Sequence, residues 1–276
     1  MSALLSLSDR ITARRIEIGS GPLAVHEAAG PGSPVVLLPG YTGSKEDFRL
    51  LLAPLSEAGH HALAYDQRGQ HESAGPDDPA AYSVDALAGD LLDLLAALPR
   101  PAHVVGHSFG GIVARAAVLR RPAAARSLTL LSSGPAALTG PRTAAMQLLR
   151  PLLDAGGIVA VADALDAVAP PHEPPDLRAF LRARLLASSV TGLVAMGDAL
   201  TSEPDRVQEL AATGVPVLVA HGENDDAWLP ALQADMARRL GARHVVVPGA
   251  MHSPAVENPA ATLATLTAFF AAVEAA

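Results

Sequence analysis

The stretch Val104-Val105-Gly106-His107-Ser108-Phe109-Gly110-Gly111 holds the residues best suited to chemistry in this chain. A serine hydroxyl is a poor nucleophile unless it is exposed, oriented and set beside a base. A Gly-x-Ser-x-Gly pentapeptide placed after an apolar strand and before a helix meets the first two conditions. The turn is sharp enough that Gly106 and Gly110 must lack side chains, and it lifts Ser108 above the strand end. The following helix points its N-terminus at the same place, so the backbone N–H of Phe109 can stabilise a developing oxyanion. The chemistry expected is attack of Ser108 on a carbonyl. An ordinary glycine-rich turn would look the same over five residues; the flanking strand and helix favour the functional reading.

Other chemistries find less support. The ten histidines show no paired ligand spacing, so no metal site is expected. No Gly-x-Gly-x-x-Gly follows the first strand, so no dinucleotide and no other cofactor is expected. The absence of cysteine excludes disulfides, thiolate nucleophiles and thiolate zinc sites, and fits a cytoplasmic protein. A formal net charge of -8 with scattered Lys and Arg argues against a nucleic-acid partner. Met1 to Arg10 lacks the features of a secretory signal, and no apolar stretch reaches the roughly 18 residues of a membrane span. A small-molecule substrate is the expected partner, and the oligomeric state is left open.

The elements that must position Ser108 follow from hydrophobic patterning. Half of the 276 residues are hydrophobic and 17% are charged, enough for a sizeable core. Short apolar runs alternate with helical patterns, the mark of a mostly parallel sheet flanked by helices. Strands are expected at 16–18 and 23–27, paired as a hairpin, and at 35–38, 62–65, 103–105, 128–131, 215–220 and 244–247. Their continuous apolar character reads as burial on both faces. Helices are expected at 83–98 with Ser83 as N-cap, at 109–120, at 229–240 stopped by Gly241, and from Asn258 to Val273. Residues 135–213 show no convincing strand and are rich in Ala, Leu and Pro. A loop that long carries its own structure, so the segment is expected to be a helical lid inserted into a core of residues 1–134 and 214–276.

With these motifs in order, the chain resembles the α/β-hydrolase superfamily, specifically its lid-bearing, cofactor-free bacterial serine hydrolases. The resemblance runs from about Ile16 onward. It rests on Leu38-Pro39-Gly40-Tyr41, Asp66-Gln67-Arg68-Gly69, the Ser108 turn, Gly222-x-x-Asp225 and Gly249-Ala250-Met251-His252. It implies His252 as the base, because the family's base comes last in sequence. It implies Asp225 as the acid, with Asp226 the near competitor, read as a capping or surface group. It implies the N–H of Tyr41 as the second oxyanion donor beside that of Phe109, although Pro39 stands where the family usually has histidine. The Tyr41 phenol is a further candidate for substrate contact. Gln70 stands where histidine is common, in a segment read as a structural turn supported by an Asp-Arg interaction. His103, His107 and His221 read as structural, and His60, His61 and His172 as surface residues.

The implied activity is acyl transfer to water through a covalent acyl-enzyme, with carboxylic esters as the leading substrates. A lactonase or a carbon–carbon bond hydrolase would use the same triad. A non-catalytic ligand-binding receptor of the same fold is the alternative of another class. Apolar residues of the lid, including Met146, Leu148, Leu149, Leu193 and Met196, are expected to wall the pocket over Ser108.

Overall fold

The computed structural model describes residues 6–276, apart from the side chains of Ala145 and Leu149. The chain opens with β1 (Thr12–Ile18) and β2 (Gly21–Ala28), followed by β3 (Pro34–Leu38), α1 (Arg49–Glu57), β4 (His61–Tyr65) and α2 (Val84–Ala96). Then come β5 (Ala102–His107), α3 (Phe109–Arg120) and β6 (Ala125–Leu131). Three helices follow with no strand between them: α4 (Arg142–Val168), α5 (Pro175–Leu186) and α6 (Val190–Ser202). The chain ends with α7 (Val207–Ala212), β7 (Val217–Gly222), α8 (Pro230–Leu240), β8 (Arg243–Val247), α9 (Pro254–Glu257) and α10 (Pro259–Glu274). The eight strands form one sheet in the order β1-β2-β4-β3-β5-β6-β7-β8. β1 with β2, and β2 with β4, are antiparallel; the other neighbours are parallel. This is the α/β-hydrolase fold anticipated from the sequence.

Alternate side chains of a strand point to opposite faces, and the central strands show it. Val36, Leu38, Val104, Leu128, Leu130 and Val219 enter one core with α2, α3 and α8. Val35, Leu37, Val105, Leu131, Leu218 and Ala220 enter a second core with α1 and α10. Burial on both faces accounts for the continuous apolar runs. β8 is the exception. Its run His244-Val245-Val246-Val247 reads as a buried strand, yet it lies at the sheet edge and Val246 is 44% exposed. α1 carried no clear sequence signal. The caps behave as expected: Ser83 Oγ accepts from Ala86 N, Asn258 Oδ1 accepts from Ala261 N, and Gly241 adopts a left-handed φ of 62°.

The helices between β6 and β7 have a small core of their own, made by Leu153, Val161, Ala162, Leu185 and Leu193. α4 is two helices joined at Gly157, whose φ of 67° and ψ of -164° are not helical. α7 falls within residues 135–213, but Val207 and Leu210 join the main core rather than the small one. Both stems of the insert are tied to α3. Arg115 is buried, donates to the carbonyls of Gly134 (3.3 Å) and Pro135 (2.6 Å), and pairs with Glu203 at 3.0 Å. Among the described residues no single helix is long and apolar enough to cross a membrane.

Candidate active site

Ser108 sits between β5 and α3 with φ 53° and ψ -120°. Such a conformation costs a residue with a side chain about 1–3 kcal/mol and persists only where the surroundings impose it. Here they do. A Cβ on Gly106 would lie 2.4 Å from the Gly110 carbonyl oxygen, and one on Gly110 would lie 2.6 Å from the carbonyl oxygens of Leu38 and Pro39. The Ser108 N–H is held by the Leu131 carbonyl at 2.9 Å. The turn can pack this closely only with both glycines.

Two loops at the same edge of the sheet meet this serine. Asp225 follows β7, and His252 follows β8. His252 Nδ1 lies 2.9 Å from Asp225 Oδ1, and its Nε2 lies 3.0 Å from Ser108 Oγ. A carboxylate only accepts, so Nδ1 carries the proton and Nε2 is free to accept from the hydroxyl. All three side chains are buried. Asp225 has further donors: the Ala227 N–H at 2.9 Å on Oδ1 and the Gln233 side chain at 2.9 Å on Oδ2. Burial alone would raise the Asp225 carboxyl; the donors and the charge of a protonated His252 outweigh it and hold the group below its ordinary value.

The structure separates the two neighbouring acids. Asp226 turns away to pair with Arg142 of α4 at 2.6 Å and is partly exposed. The ligand-type atoms of Asp225, Asp226 and His252 do lie within 4.8 Å of one another, a grouping a cation could use. The relay and the Arg142 pair already engage those atoms, so the arrangement suits proton transfer better than metal binding.

Phe109 is the first residue of α3, so its N–H has no partner within the helix. Gly40 packs against the nucleophile: a Cβ built on it would lie 3.2 Å from Ser108 Cβ. The Gly40–Tyr41 peptide therefore borders Ser108 across from α3. The Tyr41 phenol does not stay free for a substrate. It donates to the Leu193 carbonyl at 2.7 Å, and burial, with help from Asp198, pushes it up to about 12.

Among the residues expected to wall the pocket, Leu193 lies in the small core of the insert, with Tyr41 packed against it. Met196 is buried in the main core, and Met146 is half-buried against that core. Leu148 is 68% exposed and walls nothing; the Leu149 side chain lies outside the described residues.

Other expectations change. Asp66 does not meet Arg68. Asp66 takes the Lys45 ammonium at 2.9 Å and the Lys45 N–H at 2.7 Å, while Arg68 pairs with Asp90. The partners are set by which loops cross, and a local reading of Asp66-Gln67-Arg68 could not show that. His60 is buried, edge-on to Phe270, rather than on the surface. His61 is half-buried and bonded to Glu27 at 2.5 Å, whereas His172 is exposed. Sequence reasoning missed Gln67, Gln70 and Gln233 as supports of the site. The one signal was Gln70, standing where histidine is common.

The chain is similar to known hydrolases in sequence and in fold. A model of the alpha/beta hydrolase family matches residues 35–265. A candidate carbamate hydrolase of Variovorax paradoxus, RutD, is 39% identical over 111 residues, which is 39% of this chain and 41% of that protein. Matches to the first curated relatives span between 32% and 53% of their lengths. The AB hydrolase superfamily protein YisY of Bacillus subtilis is 29% identical over 208 residues, 72% of this chain and 76% of that one. Among solved structures, a carboxylesterase of Nitrososphaera gargenis superposes with a TM-score of 0.78 at 24% identity, covering 95% of this chain and 99% of its own.

Proposed function

The chain belongs to the alpha/beta hydrolase family, and within it we propose a serine hydrolase that cleaves a carboxylic ester or related acyl bond. The observation that carries this reading is the continuous hydrogen-bonded relay Asp225–His252–Ser108, at 2.9 Å and 3.0 Å. Ser108 Oγ attacks the substrate carbonyl carbon as His252 Nε2 takes its proton. The carbonyl oxygen becomes an oxyanion facing the N–H groups of Phe109 and Tyr41. Collapse expels the alcohol, which leaves with the proton from His252. Water then attacks the acyl-enzyme, again losing a proton to His252, and the acid departs as Ser108 is restored. Asp225 stays ionised and stabilises the imidazolium.

The helices of residues 135–213 act in this reading as a lid, with Leu193 and Met196 in the wall that selects substrates. What supports this is their position between β6 and β7, both of which end on the Ser108 side, and the contact of Leu193 with Tyr41. The resemblance to RutD favours a carbamate as a second substrate class, since its carbonyl would enter the same relay. A lactone or an activated carbon–carbon bond would enter it too.

The test is labelling with a fluorophosphonate, read by mass spectrometry, followed by hydrolysis of a panel of esters, carbamates, lactones and diketones. Labelling of Ser108 with turnover of at least one class is the expected result. An unlabelled, inert protein would favour a ligand-binding role instead.

A further inference from the structure

Three backbone carbonyls of the turn beside Ser108 are held by two buried glutamines. Gln70 Nε2 donates to the carbonyl of Gly40 at 2.8 Å and to that of Tyr41 at 2.9 Å. Gln67 Nε2 donates to the Pro39 carbonyl at 3.0 Å. The two glutamines are also joined, since the Gln67 N–H reaches Gln70 Oε1 at 3.2 Å. These partners fix the amide of Gln70: two carbonyls require its NH2 group, and one N–H requires its oxygen. Both side chains are 1% exposed, so water cannot substitute for them.

From this geometry we infer that Gln70, seconded by Gln67, is a positioning residue that aims the Tyr41 N–H at the oxyanion. In a trans peptide the C=O of one residue and the N–H of the next point in opposite directions. The Gly40 carbonyl is held by Gln70 at 2.8 Å and by the Gly43 N–H at 3.1 Å, and the Tyr41 N–H of the same peptide unit is turned away from Gln70. The Gly40 side of that unit packs against Ser108. Gln67 orients the preceding Pro39–Gly40 unit in the same way. A donor on a carbonyl also polarises its peptide, which strengthens the N–H at the other end. The amide carries no titratable proton, so the aim is independent of pH. The inference rests on the proposed serine mechanism, in which the Tyr41 N–H meets the oxyanion.

The experiment compares parental enzyme with Gln70→Leu, Gln70→His, Gln70→Glu and Ser108→Ala on one hydrolysed ester, with melting temperature alongside. Removing a whole oxyanion donor costs roughly 10²–10³-fold in kcat. Misaiming one in Gln70→Leu should cost about 10–100-fold in kcat with KM nearly unchanged. Gln70→His, which keeps an N–H donor, should recover most of the loss. In Gln70→Glu only a protonated carboxyl can donate, so its kcat relative to parental should rise as pH falls. That ratio serves even if Gln70→Leu fails to fold. Parental kcat in Gln70→Leu, or a Gln70→Glu ratio flat with pH, would overturn the inference while leaving the serine mechanism intact. Retained turnover in Ser108→Ala would instead remove the mechanism, and the inference with it.

Discussion

The Nε2–H of His107 donates to the backbone carbonyl of His252 at 2.7 Å, joining residues 145 positions apart. The residue before the proposed nucleophile thus grips the loop that carries the proposed base. Burial, reinforced by His252 nearby, pushes the His107 imidazole down to about 4. Burial does the same to His103, which bonds Ser127 through Nδ1 at 2.7 Å.

These two histidines predict acid sensitivity. Their folded values lie below the ordinary 6.5, so between about pH 6.5 and pH 4 the unfolded chain binds protons that the native state does not. Their contribution is complete above that window and shrinks as pH falls through it, on the order of 3 kcal/mol per histidine at most. Urea midpoints at pH 7.5, 5.5 and 4.5 should decline, and His107→Gln should flatten the slope. A midpoint independent of pH across that range would contradict the prediction.

Ser108→Ala should lower turnover by at least about 10³-fold, as expected when the nucleophile of such a relay is lost. Among the described residues the hydroxyl's side-chain bond is to His252, so stability should move by less than about 1 kcal/mol. Single-turnover kinetics and a thermal melt measure the two quantities. Near-parental turnover would transfer the nucleophile elsewhere.

Asp225→Asn and Asp226→Asn should part company. The first removes the acceptor that sets the His252 tautomer and should cost about 10³–10⁴-fold in kcat. The second loosens only the pair with Arg142 and should cost a few-fold, with Arg142→Gln behaving alike. Steady-state kinetics on all three variants decides the matter; the reverse ranking would assign the acid to Asp226.

Leu193→Ala should open space where the insert meets Tyr41, and Tyr41→Phe should remove the phenol's hydrogen bond to the Leu193 carbonyl. Both should change the ratio of kcat/KM between long and short acyl esters by several-fold while labelling by a small phosphonate changes little. The reason is that chain length probes the wall, where one methylene is worth about 1–3 kcal/mol. A uniform rate loss on every ester would mean that α6 supports folding rather than selection.

Much of this protein was legible along the chain. Apolar runs such as Val35 to Leu38 and Val217 to Ala220 are continuous because both faces of those strands are covered, so the positions of these strands followed from local pattern. Gly106-His107-Ser108-Phe109-Gly110 was legible because its tight turn is a local steric demand, met by glycines at fixed spacing. Asp225 and His252 could be named only by resemblance, since nothing local ties residues so distant from Ser108. The tertiary structure decided what depends on which loops cross: Asp226 against Arg142, Asp66 against Lys45, Gln233 on Asp225, and Gln67 and Gln70 under the Tyr41 turn. Hydrogen-bond partners between loops are chosen by distance in space, and a glutamine reads alike in sequence whether it faces water or holds a carbonyl. The edge position of β8 was hidden for the same reason, because the run His244 to Val247 does not say how many neighbours its strand will have.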